Sequence, residues 1–182
     1  MKLLGNEEIT EWCATRGISR RGRKLLPGEM FERWIVVEVP ESANARMALA
    51  IDLVLLGGDI NDGDFVWVSD WDRWGELNRE LGETVITRLR VVDSEPRIAS
   101  LAEKPGLLSG SEDRSVLAAI IWQVMLFGWD TYLIPSAGSH VVEYSHDDLV
   151  WISYRDSSRE RSMLDALARW GAKVKRPASQ TQ

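Results

Sequence analysis

From Val116 to Phe127 the chain passes through twelve residues of which only Gln123 is polar, and it halts at Gly128. Such a stretch is too long for one buried strand and too short to cross a bilayer, so a helix hidden on several sides is expected. Ser111 or Asp113 can cap its start, and Gly128 can end it in the left-handed conformation. A helix with so little polar face needs neighbours in more than one direction, which calls for a layered fold. Directly after Gly128 come three strand-like segments, 130–134, 139–144 and 149–154. Turns at Pro135–Gly138 and Ser145–Asp148 separate them. That spacing predicts an antiparallel meander.

The remaining segments fit around this unit. Asn6 as N-cap, Glu7 and Glu8 in the first turn and Gly17 as a stop predict a helix over 7–16. Residues 16–28 carry Arg16, Arg20, Arg21, Arg23 and Lys24 among Gly22, Pro27 and Gly28, which reads as an exposed loop. Trp34–Val39 is a strand stopped by Pro40. Ser42 caps a mostly buried helix to Leu56, closed by Gly57 and Gly58. A turn over 59–64 leads to a strand at 65–69. A brief helix over 72–81 ends at Gly82, and the β-branched alternation of 84–92 favours another strand. Residues 93–110 read as a connector. The helix 158–170 sets Met163, Leu164, Leu167 and Trp170 on one stripe, and 175–182 is a frayed polar tail. The expected fold is therefore α+β, a mixed, largely antiparallel sheet of five or six strands packed against several helices. One globular domain spans 1–182, with halves at 28–92 and 111–174.

Those halves share a pattern. Asp64-Phe65-Val66-Trp67-Val68-Ser69, then Asp72, matches Asp148-Leu149-Val150-Trp151-Ile152-Ser153, then Asp156, at the aspartates, one valine, the tryptophan and the serine. An apolar helix closing on Gly-x-Asp precedes each copy, and a helix ending in glycine (Gly82 or Gly171) follows. Either two similar helix–strand–helix units make up the fold, or good strand sequence has coincided.

Composition narrows the function classes. The net charge is −6 over 182 residues, which argues against nucleic-acid binding through a positive surface. The single Cys13 cannot form an internal disulfide, and the first residues turn acidic before any stretch of signal-peptide length. A cytoplasmic protein without membrane association is the expectation. Nine tryptophans are present, each burying a large area and each seeking a partner for its indole N–H. They belong either to an aromatic-rich core or to an aromatic binding surface. With Trp151 in the core, its truncation to alanine would cost about 3–5 kcal/mol.

No motif carries chemistry clearly. The acidic turn Asp59–Asp64 has its glycine at the fifth position and lacks the bidentate glutamate of a calcium loop, so it reads as an ordinary turn. His140 and His146 are the only histidines. His146-Asp147-Asp148 falls on a hairpin tip, where nothing holds ligands rigid. There is no nucleophile elbow, dinucleotide fingerprint or phosphate loop, and Cys13 reads as a small buried hydrophobe. No catalytic residue, metal ligand or cofactor is assigned. The basic cluster Arg16–Lys24 reads as a solvated loop, and Trp67, Trp71 and Trp74 read as core.

Two functions remain. The first is a non-catalytic module that binds another protein, with an immunity- or antitoxin-like masking of a basic effector as one form. The second is a small enzyme or ligand-binding protein whose cleft is lined by Trp67, Trp71, Asp72, Trp151 and Asp156. Paired carboxylates at equivalent strand ends could there act as acid and base. A homodimer through exposed tryptophan or an open strand edge is compatible with either.

Overall fold

The computed structural model describes residues 1–27, 31, 33–56, 63–72, 74–90, 99–156, 158, 160–168 and 173–175. The expected helix end at Gly57–Asp59, most of the 59–64 turn, Val91 to Ile98 of the strand and connector, Trp170, Gly171 and the tail from 176 lie outside those residues.

The elements in chain order are β1 (Lys2–Leu4), α1 (Asn6–Ala14), β2 (Ile18–Arg21), β3 (Lys24–Pro27), β4 (Arg33–Glu38), α2 (Ala43–Leu55), β5 (Phe65–Asp70), α3 (Glu76–Leu89), β6 (Gly106–Leu108), α4 (Arg114–Phe127), β7 (Asp130–Ile134), β8 (His140–Ser145), β9 (Leu149–Tyr154), α5 (Glu160–Ala168) and β10 (Lys173–Lys175). Eight strands form one sheet in the order β1-β6-β5-β7-β8-β9-β4-β10, with every neighbouring pair antiparallel. β2 and β3 form a separate hairpin. The fold is thus α+β with an antiparallel sheet, and β7–β9 are the expected meander.

The sheet exceeds the expected five or six strands, and for a specific reason. β1, β6 and β10 have three residues each, too few to show an alternating pattern. The strand expected at 84–92 is absent as far as Arg90, because α3 runs unbroken from Glu76 to Leu89 through Gly82. Gly82 is not a helix stop but a contact point. A Cβ there would lie 2.4 Å from the ring of Trp129. Residues 18–27, expected as open loop, form the β2–β3 hairpin instead, turning through Gly22 at φ 61°. Its signal was the apolar pair Ile18 and Leu25 flanking a glycine that tolerates positive φ.

The two-unit idea finds no support. β5 reverses into β7, β7 into β8 and β8 into β9, so β5 and β9 run in opposite directions. β5 lies between β6 and β7, whereas β9 lies between β8 and β4. α4 leads into β7, not into the strand that carries Trp151.

Alternation along the strands divides the interior into two cores on opposite faces of the sheet. One face places Val66, Val68, Leu133, Val142, Val150 and Ile152 under α2, α3, α4 and α5. The other places Phe65, Trp67, Tyr132, Ile134 and Val141 under α1 and the hairpin, with Ile9, Cys13, Ile18 and Leu25 closing it. The interior is therefore two cores, one on each face of the sheet. α4 sits in the middle of the helical layer, against α2 and α3, and buries Leu117, Ile120, Ile121, Val124 and Met125. Leu126, on its outer side, stays 43% exposed. Arg46 fixes the entry of α2. Its guanidinium donates to the Pro40 carbonyl at 2.9 Å and to the Met125 carbonyl at 2.5 Å, and pairs with Asp148 at 3.2 Å. Among the described residues no helix is long and apolar enough to cross a membrane.

Candidate functional site

The tryptophans divide by position. Trp67 and Trp129 are fully buried, on opposite faces of the sheet. Trp12, Trp34, Trp71, Trp122 and Trp151 are half-buried, and Trp74 is 44% exposed with its indole N–H on the Gly128 carbonyl at 2.8 Å. Trp151 packs against Trp34 across β9 and β4, ring centroids 5.1 Å apart.

A cleft of about 420 Å³ opens where the β2–β3 turn meets the end of β5 and the segment 101–105. Trp67 and Trp71 line it, together with Asn6, Arg20, Arg23, Leu101 and Pro105. Trp67 reaches it because odd-numbered residues of β5 face the hairpin side of the sheet. Arg20 lies over the Trp67 ring, its guanidinium carbon 4.5 Å from the centroid, an arrangement favoured by the negative face of the indole. The Arg20 guanidinium donates to the Asn6 carbonyl at 2.8 Å, Asn6 Oδ1 at 2.6 Å, Gly22 carbonyl at 2.9 Å and Thr10 Oγ1 at 3.3 Å. These bonds tie the hairpin to the first turn of α1. All four acceptors are neutral, and burial lowers the Arg20 pKa from its ordinary value.

Arg23, at the rim, is in the opposite situation. It reaches Asp70 at 2.7 Å and takes Asp72 with two nitrogens, at 2.5 and 3.0 Å. Hydrogen bonding from Arg23 holds the Asp72 carboxyl below the usual carboxylate range. Asp72 therefore stands beside the cleft as an ion-paired carboxylate.

Trp151 and Asp156 are elsewhere. β9 is separated from β5 by β7 and β8, and since the two strands run oppositely, Asp72 and Asp156 follow strand ends at opposite edges of the sheet. Asp156 is exposed and accepts from the backbone N–H and hydroxyl of Ser158, at 2.8 and 2.6 Å. The sequence-expected set thus splits. Trp67 and Trp71 share the cleft, Asp72 borders it through Arg23, and Trp151 and Asp156 belong to the far half of the sheet.

The cleft residues that the sequence reading passed over are Asn6 and Arg20. Arg20 belongs to the basic cluster whose composition predicts a solvated loop. In the structure Arg16 lies 3.7 Å over the Trp12 ring, as Arg20 lies over Trp67. The available signal is that Ile18 and Arg20, two residues apart, share one face of a short strand before Gly22. The histidines sit apart. His140 is buried on β8 with its Nδ1 3.0 Å from Ser139 Oγ, and His146 places its Nδ1 2.7 Å from Asp130 Oδ1 after the end of β8. Among the described residues no group of three His, Cys, Asp or Glu side chains could hold a metal ion.

A second concavity, of about 380 Å³, lies on the outer side of the helical layer between α2 and α4. Met47, Ile51 and Leu55 form one wall at helical spacing, and Ser115, Ala118 and Ala119 form a low wall opposite. Ile51 is 43% and Leu55 49% exposed. No protein-family model, curated protein or solved structure matches the chain.

Proposed function

We propose that the chain is a non-catalytic binding protein that holds another protein against its helical layer. The observation carrying this reading is the α2–α4 groove, where Ile51 and Leu55, one turn apart, remain in water beside a row of small residues. Large apolar side chains at that spacing suit an amphipathic helix of a partner, whose own apolar stripe would settle over Ala118 and Ala119. The other exposed large apolar residues of the layer, Leu77 and Leu81 on α3 and Leu126 on α4, extend the same outer side. The net charge of −6 favours a partner with basic residues around its contact helix, and masking of a basic effector in the manner of an immunity or antitoxin protein is the finer form of the proposal.

The double variant Ile51→Lys, Leu55→Lys tests it. Both side chains are outward, so the folded protein should melt close to the parent. A tagged full chain should retain a specific protein from its native cells, and the variant should lose it. A partner retained equally by both proteins would place the contact elsewhere and defeat this reading. Ligand binding in the cleft is a second reading, favoured by Arg20 standing over Trp67 with no acidic partner among the described residues.

A further inference from the structure

We infer that the cleft beside Trp67 is a binding site for a small organic monoanion, one carboxylate group on a compact apolar body. Arg20 carries the argument. A guanidinium has five N–H donors, and Arg20 uses four of them, all on neutral oxygens. Among the described residues no carboxylate lies within ion-pair distance of it. The group is half-buried, so its charge is poorly screened, and the fifth donor remains for a charged acceptor.

A second cation stands behind the opposite wall. Arg90, 2% exposed, lies under the segment 104–106 and donates through Nη2 to the backbone oxygens of Lys104 and Gly106. Its Nε and Nη1 have no hydrogen-bond partner among the described residues. Burial pushes its pKa down to about 10, which leaves it charged at neutral pH. Pro105 of the cleft wall follows Lys104 in that segment, and Glu83 is a carboxylate whose charge acts on Arg90. The partly desolvated guanidinium of Arg20 is thus the charge that favours an anion in the cleft.

The lining decides what kind of anion. Arg23 is already neutralised by Asp70 and Asp72, so the cleft offers one charge-assisted hydrogen bond rather than a cluster. That matches a single negative charge and leaves a dianionic phosphate undercompensated, with the two aspartates nearby. Trp71, Leu101, Ala102 and Pro105 supply apolar surface for the body of the ligand, and 420 Å³ lies in the range of small-molecule sites. This site shares no lining residue with the α2–α4 groove, so it stands or falls independently of partner binding.

The experiment is calorimetric titration and thermal melting of the full chain with isobutyrate, benzoate and indole-3-acetate, each against its neutral amide, at constant ionic strength. Inorganic phosphate forms a separate arm. Saturable binding of at least one carboxylate, at least tenfold tighter than its amide and tighter than phosphate, is the expected result. Arg20→Gln should weaken that carboxylate at least tenfold. Because Arg20 also anchors the hairpin, Ala102→Trp provides an independent check. Ala102 is exposed on the cleft wall, and an indole there should fill the space and abolish binding while the unliganded protein melts like the parent. Equal binding of acid and amide, preference for phosphate, no saturable binding by any carboxylate, or binding that survives Ala102→Trp would each overturn the proposal.

Discussion

Gly82 and Trp129 touch so closely that the glycine's missing side chain is part of the fit: a Cβ on Gly82 would fall 2.4 Å from Cη2 and Cζ2 of the indole. Trp129 is held from other sides as well. It is fully buried, stacked on Phe127 at 5.2 Å, and its Nε1 donates to Asn78 Oδ1 at 3.0 Å. Two residues of α3, Asn78 and Gly82, thus hold one ring from the residue that joins α4 to β7.

Gly82→Ala separates helix propensity from packing. Alanine favours a helix interior by about 1 kcal/mol over glycine. The added methyl must displace a hydrogen-bonded ring, and overpacking of this kind costs about 1–3 kcal/mol. Net destabilisation is expected, read as a lower urea midpoint at unchanged m-value. A more stable G82A protein would mean that the α3–Trp129 contact is looser than described.

The tryptophans should rank by burial rather than by strand position. Trp67, 1% exposed and stacked on Tyr132 at 5.5 Å, should lose about 3–5 kcal/mol on truncation to alanine. Trp151 is half-buried and rests on Trp34, so its truncation should cost less, about 1–2 kcal/mol. This revises the larger loss expected of a core Trp151. Chemical denaturation of W67A and W151A checks the order, and equal losses would contradict it.

Glu143, on β8 opposite Trp151, has its pKa raised chiefly by burial, with a hydrogen bond from Tyr132 opposing the shift. A carboxyl with a raised folded pKa binds more protons when native than when unfolded. Its contribution to stability is therefore favourable in acid and is lost as pH rises from the unfolded value through the folded one. Glu143→Gln keeps a polar group for Tyr132 and removes the charge. The variant should gain stability relative to the parent at pH 7 and lose that advantage towards pH 4. A difference independent of pH would rule out the titration as its source.

Cys13 is fully buried on α1, and burial pushes its thiol up to about 11. At pH 8 only about one thiol in a thousand would be ionised in the folded protein, against an appreciable fraction in the unfolded chain. Alkylation by iodoacetamide at pH 8 should be at least a hundredfold slower in buffer than in denaturant, and a rate comparable to the unfolded chain would show that the α1 side of the sheet opens readily.

Much of the fold was legible because it rests on local pattern. The stretch ending at Gly128, the cap at Ser42 and the three alternating segments after 129 each carry their structure within a dozen residues, and all appear where expected. The misread places are those where a distant residue decides. Gly82 looked like a stop until Trp129 was placed against it. The Arg16–Lys24 run looked solvated until the indoles of Trp12 and Trp67 came beneath its arginines. Of the expected cleft, the sequence supplied Trp67, Trp71 and their neighbour Asp72, which are close in the chain, and it wrongly joined to them Trp151 and Asp156, on the strength of similar spacing.

By itself, then, the sequence determined the longer strands and the helices α1, α2, α4 and α5, since periodicity and capping act over a few bonds. Tertiary structure decided the direction of β5 against β9, the division of the interior into two cores, and the meeting of Arg20 with Trp67. Those outcomes depend on strand order and on contacts between residues far apart in the chain, and no local pattern encodes them.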